Sequence, residues 1–355
     1  MKKQTRTHLD IDGSLKSGSG TILRYSLALS CILKENLHIH NIRAQRKKPG
    51  LMAQHVRTVE ACLDLTAGRA EGLYTQSPEI VFYPGPVTFD GHFHWNIGTA
   101  GSTTLMAQCL LPVGLFAKKA SSYTINGGLF QDFAPSPYHT KYVLMKILNK
   151  FSAQADLTVK KPGYVPAGEG EIMLETEPVK TPLQPLTLTD QGCITHVKGI
   201  ALSSHLEKQK VSERMAQTCA EELKKKKNID ADIEIIHDEQ SQQKGAALFI
   251  CAETDTGCII GADMAGAVGR RSEKIGTQTA KKLIDDLESG ATVDRFTADQ
   301  LILYAALAKG TSTYIIPKMT DHIETRLWLV EKMLGAKTEV KNNRIRIKGI
   351  GYRRE

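Results

Sequence analysis

Apolar positions along the chain follow two periods. Alternation marks short strands at His8–Ile11, Leu37–Ala44 and the run EIVFYPG at 79–85. A helical period marks Thr21–Leu33 and a second stretch, QHVRTVEACLDL, whose start lies near His55. A Gly/Ser loop, DGSLKSGSG (12–20), joins the first strand to the first helix. The same order then recurs. The loop GTAGS (98–102) leads into the helical run TTLMAQCLLPVGLFA, the strand SYTING, a helix beginning near His139, and strands near 155–160 and 171–175. A third copy runs through the helix ADQLILYAALA (298–308), the strand STYIIP, a helix beginning near His322, and the strands KTEVKN and RIRIKG. The pattern therefore predicts an α+β fold built from three repeated β/α modules.

The spacing of the three histidines locates an interruption. His55 and His139 are 84 residues apart, whereas His139 and His322 are 183 apart. The excess of 99 residues predicts a smaller domain inserted at about 181–290, so that 1–180 and 291–355 form one discontinuous domain. Within the insert the pattern predicts a strand at 193–203, a charged helix at 207–227, strands near 231–237, 246–253 and 257–262, and a helix at 272–288. The Lys224–Lys227 run reads as a solvated helix end that suits the negative pole of the helix dipole.

Composition narrows the class. Apolar residues make up 41% of the 355 positions and charged residues 24%, which excludes a disordered, collagen-like or coiled-coil chain. The longest mostly apolar stretch, 103–117, contains Pro112 and is too short for a membrane span. The opening MKKQTRTHLDIDG has no apolar segment of the kind a signal peptide needs. Seven scattered cysteines, with no CxxC, fit reduced thiols in a cytoplasmic protein. The net charge of +8 suits a polyanionic partner, although many proteins without one share it.

Few residues have the chemistry for a site. The loop DGSLKSGSG leaves free N–H groups at a helix start, where a phosphate can sit, and Arg24 in the following helix can reach back to it. An ordinary strand-to-helix turn satisfies the same pattern. In IRAQRKKPGLMAQHVR (42–57), Arg43, Arg46, Lys47, Lys48 and Arg57 face no acidic residue between Leu37 and Val59. Unneutralised arginine suits phosphate, and Gln54 and His55 open the helix that follows. His322 is the candidate nucleophile. Asp321 is expected to cap its helix with Glu324 closing a capping box, and the helix pole then favours a neutral imidazole.

Taken in order, DGSLKSGSGTILR, IRAQRKKPGLMAQH, IGTAGSTTLMAQCLLP, the Gly127–Pro135 segment, GYVPAGEG, FTADQLILYAAL and the helix start at His322 resemble the RNA 3′-terminal phosphate cyclase family. The resemblance runs nearly end to end. It implies modules like the C-terminal domain of a translation initiation factor and an inserted domain that is thioredoxin-like. It implies ATP-dependent conversion of an RNA 3′-phosphate to a 2′,3′-cyclic phosphate, with His322 carrying AMP. Gln108, Pro135, Phe296, Asp299 and Gln300 would surround the nucleotide. Arg24, Arg43, Arg46, Gln54 and His55 would hold phosphates of ATP or of the RNA 3′ end. Mg²⁺ or Mn²⁺ would assist, and a homo-oligomer is compatible with it. One departure bears on the metal: the acid of the family's first loop is replaced by Ser17, beside Lys16. Two further readings stay open. One is a non-catalytic cyclase-like RNA-binding protein of ribosome assembly, although such relatives lack the nucleophilic histidine. The other is a nucleotidyl-transferring enzyme acting on a different phosphate end.

Overall fold

The computed structural model describes residues 8–86 and 91–354. The chain is α+β. Its first sheet takes β1 (Leu9–Asp12), β2 (Leu37–His40), β3 (Arg69–Glu71) and β4 (Ile80–Tyr83) in the order β1-β2-β4-β3, with α1 (Gly20–Leu33) and α2 (Ala53–Thr66) between strands. β1 and β2 are parallel with Leu9 opposite Leu37, and the other pairs are antiparallel. Alternation decides the faces: Leu37 and Ile39 are fully buried, while His38 and His40 stand on the other face. β2 ends at His40, four residues before the expected Ala44. Asn41 and Arg43 adopt left-handed backbone conformations with φ of 52° and 54°, which no strand can absorb.

The second sheet holds β5 (Gly91–Asn96), β6 (Ser121–Gly127), β7 (Ala155–Lys161) and β8 (Gly170–Thr176) in the order β5-β6-β8-β7. α3 (Thr103–Leu115) connects β5 to β6. The helix near His139 is composite: α4 (Pro137–His139), a π turn over Thr140–Leu144, and α5 (Met145–Lys150). The third sheet begins with a two-residue strand, β9 (Thr187–Leu188).

A fourth sheet follows, with β10 (Ile194–Ser204), β11 (Asp232–Asp238), β12 (Gly245–Thr254) and β13 (Ile259–Ala265) in the order β11-β10-β12-β13. α6 (Val211–Lys227) and α7 (Ser272–Glu288) pack on it and on each other. These elements carry their own apolar cluster, in which Met215, Leu223, Leu248, Ile260 and Leu283 are buried. α8 (Thr297–Leu307), β14 (Thr311–Ile315), α9 (Asp321–Leu334), β15 (Lys337–Lys341) and β16 (Arg344–Lys348) then complete the third sheet, in the order β15-β16-β14-β9.

Sheets one, two and three share one pattern: a parallel pair, then two antiparallel pairings that place the last strand inside. Their helices α1, α2, α3, α8 and α9 pack together over a single large core. Leu183, Leu186 and Leu188 join that core, so the segment leading into β9 packs with the third sheet. Among the described residues, no helix is long and apolar enough to cross a membrane.

Candidate active site

The start of α1, the start of α2, the 98–102 loop and the start of α9 border one cleft of about 580 Å³. Ser19 caps α1, its side chain accepting from the Thr21 N–H. Glycine is required at position 20, because a Cβ there would lie 2.4 Å from Nε2 of His55 and 2.9 Å from the Arg24 guanidinium. That close approach lets α1 lie against α2 at the cleft floor.

His322 is the second residue of α9 and is exposed on the cleft. The cap is not Asp321, as expected, but Thr320, whose side chain accepts from the Ile323 N–H. Thr320 is in extended conformation with its hydroxyl over the first turn, whereas Asp321 is already helical. Nδ1 of His322 lies 3.1 Å from Oγ1 of Thr21. When Nδ1 bears the proton it donates to Thr21, and the Nε2 lone pair is free. Loss of hydration lowers the His322 pKa. Arg326, Arg24 and Arg46 push it the same way against the opposing pull of Asp299. The ring is therefore neutral near pH 7.

Arg24, Arg43, Arg46, Gln54 and His55 line this cleft with His322, so six sequence-predicted residues meet there. Burial pushes Arg24 down to about 10, which still leaves it charged at neutral pH. Arg43 donates to the carbonyls of Lys48 and Gly50 at 2.7 and 2.8 Å, bracing its own loop. Gln54 accepts from the Ser102 N–H at 3.1 Å and ties α2 to the 98–102 loop. His55 is buried, and its Nδ1 accepts from the Met52 N–H at 3.0 Å. Burial, then Arg24 and Arg43, hold its pKa well below the ordinary value. With Nδ1 occupied as an acceptor, the neutral ring carries its proton on Nε2, beside Gly20.

A second, much smaller cavity of about 30 Å³ lies behind the cleft and shares Thr21, Arg24 and Leu105 with it. Gln108, Gln300 and Arg326 line it. Gln108 Nε2, Gln300 Oε1 and Arg326 Nε are buried there without a hydrogen-bond partner, which suits a polar group entering from the cleft. Asp299 pairs with Arg326 at 3.4 Å, and burial raises its pKa against that pairing. Pro135 and Phe296 line neither cavity. Pro135 is buried with its carbonyl accepting from Thr104, and Phe296 packs edge-on to His139, ring centres 5.4 Å apart.

The first loop is tied down by its own serines. The Ser17 hydroxyl is bonded to that of Ser19 at 2.9 Å, and its N–H donates to Thr325. No group of three or more His, Cys, Asp or Glu side chains able to hold a metal exists among the described residues. A hard divalent cation prefers carboxylate oxygen, and the loop's one carboxylate, Asp12, already accepts from Ser14 and Asn41.

Sequence reading missed Thr21, Arg326 and Phe133, all of which border these cavities. Thr21 sits just past the Gly/Ser loop, but its partner is 301 residues away. Residues 15–340 match the RNA 3′-terminal phosphate cyclase family. The chain belongs to that family. It is 36% identical over 348 residues to an RNA 3′-terminal phosphate cyclase of Pyrobaculum aerophilum, covering 97% of this chain and 99% of that protein. Cyclases of Hyperthermus butylicus (35% identical, 97% and 98% covered) and Nitrosospira multiformis (34% identical, 93% and 93% covered) are similar along nearly the whole length.

Proposed function

We propose that this chain converts an RNA 3′-phosphate to a 2′,3′-cyclic phosphate at the expense of ATP. The observation that carries the reading is a neutral His322, steadied at Nδ1 by Thr21, on a cleft lined by three arginines. The Nε2 lone pair attacks the α-phosphorus of ATP, a P–N bond forms, and the α–β phosphoanhydride breaks to release pyrophosphate. An oxygen of the RNA 3′-phosphate then attacks the same phosphorus, and the P–N bond breaks to restore the ring. Finally the vicinal 2′-OH attacks the 3′-phosphate, loses its proton and expels AMP. Arg24, Arg43 and Arg46 neutralise the moving negative charge, and His55 offers a neutral N–H donor.

Gln108, Pro135, Phe296, Asp299 and Gln300 would surround the nucleotide, with Gln108 and Gln300 offering their unpartnered polar atoms from the inner cavity, which at about 30 Å³ admits a polar group and not a whole nucleoside. Any divalent cation would come with the triphosphate, because the first loop's one carboxylate, Asp12, is engaged by Ser14 and Asn41, and Ser17 offers only a hydroxyl. The architecture supports three modules of the initiation-factor C-terminal type. The fourth sheet, with an apolar cluster of its own, supports an inserted, thioredoxin-like unit at about 181–290. A cytoplasmic setting suits seven free thiols.

The test is incubation with α-labelled ATP and divalent cation, followed by analysis of an RNA bearing a 3′-phosphate. An acid-labile protein–AMP adduct and a new 2′,3′-cyclic end are expected. An adduct without cyclised RNA would point to a different phosphate acceptor.

A further inference from the structure

Phe133 lies on the wall of the cleft with its side chain 95% exposed, beside Arg43, Arg46, Thr99 and His322. Isolated exposed aromatics are common, but this one projects from a segment fixed on both sides. Arg270 donates to both carboxylate oxygens of Asp132, at 2.7 and 2.8 Å. Gln131 donates to the Ala100 carbonyl at 2.6 Å. On the other side Ala134 is buried, and the Ser136 N–H donates to Asp263 at 2.6 Å. The fold thus spends a two-point ion pair and two hydrogen bonds on holding the flanks of a ring that itself touches water.

We infer that Phe133 is the stacking platform for the terminal base of the RNA. This rests on the cyclase reading, which puts a 3′-phosphate among the arginines. A nucleoside attached to a phosphate held there has to leave the cleft along its wall. An aromatic face beside cations that hold the backbone is the arrangement that takes single-stranded nucleic acid. The unpartnered amides of Gln108 and Gln300 face the inner cavity, and Phe133 lines only the outer cleft. Stacking uses the face of a base and not its hydrogen-bonding edge, so this subsite accepts all four bases and favours purines by area.

The experiment separates the two half-reactions. Phe133→Ala and Phe133→Trp are compared with the parent in forming adduct from ATP, and then in passing AMP to a short oligoribonucleotide bearing a 3′-phosphate. For Phe133→Ala, the RNA concentration giving half-maximal transfer is expected to rise about tenfold. Phe133→Trp is expected to hold the parent value. An oligonucleotide with an abasic terminal position should erase the difference between parent and Phe133→Ala. Equal RNA dependence in parent and Phe133→Ala overturns the inference. So does a matching rise in the ATP concentration needed for adduct, which would assign the ring to ATP. If the parent forms no adduct, the cyclase reading falls. Anisotropy with the labelled oligonucleotide then still decides for or against Phe133.

Discussion

His139 and His322 both open a helix after a β-strand of their module, yet the two rings have opposite surroundings. His139 is fully buried and faces Asp294 at 3.1 Å, also fully buried. Burial alone would lower its pKa, but Asp294 outweighs burial and raises it. His322 is exposed, meets a hydroxyl instead of a carboxylate, and is depressed by desolvation and three arginines. One histidine therefore faces a buried carboxylate that favours its charged form, and the other stands on the open cleft in an environment that favours the neutral ring. The carboxylate also caps α8, accepting from the N–H groups of Phe296 and Thr297, and it accepts from the Gly261 N–H of β13. The His139 pair thus locks three segments together beside Asp299 and Gln300. The same residue type at the same place gains its role from what the fold brings against it.

The contrast can be broken at either ring. His322→Ala should reduce adduct formation from α-labelled ATP by at least about a thousandfold, because the atom that bonds phosphorus is gone. The variant should melt near the parent temperature, since an exposed ring at a turn holds little together. Adduct at near-parental yield would end the assignment.

Asp294→Asn attacks the other ring. Removing one partner of a buried ion pair costs about 3–5 kcal/mol, read from the urea midpoint. The pH dependence has a defined sign. His139 has a raised folded pKa, so its contribution is fully present below 6.5 and is lost as pH rises through that raised value. Asp294 has a lowered pKa, so its contribution is present above 3.8 and is lost as pH falls through the lowered value. Parent stability from this pair should therefore fall as pH climbs above neutrality. In Asp294→Asn burial is opposed only by the weaker pulls of Asp263 and Asp286, so the variant should instead lose stability toward acid. Parallel stability curves would show that the pair is not ionised.

The smallest effect sharpens the comparison at the hydroxyl. Thr21→Val should slow adduct formation about tenfold, the scale of one hydrogen bond of about 1–1.5 kcal/mol, while the ATP concentration for half-maximal rate stays put. Thr21→Ser should restore the rate. A silent Thr21→Val would mean that the helix start alone orients the ring.

Much of this architecture could be read from periodicity. Strands such as β2 and β16 alternate cleanly, and α7 begins and ends where its apolar stripe does. The spacing of three histidines is a second kind of signal, because it counts chain length, which burial does not disturb. β9, only two residues long, was invisible because one pairing cannot produce a period. The cap at Thr320 was misread because Asp321 is an equally good capping residue by type, and only backbone conformation separates them. Arg24, Arg43, Arg46, Gln54, His55 and His322 were recognisable by local charge and helix starts. Thr21, Arg326 and the His139–Asp294 pair were not, since each acts through a partner far away in sequence.

The fixed tautomer of His55 has a consequence for how the cleft meets its ligand. His55 and His322 are both held below the ordinary imidazole value, so each takes up a proton only in acid and neither adds positive charge to the cleft at neutral pH. Its guest also titrates below neutrality. A phosphate monoester gains its second negative charge near pH 6. Capture of a 3′-phosphate end over a diester should therefore favour neutral solution, where the guest carries both of its charges and the two rings carry none.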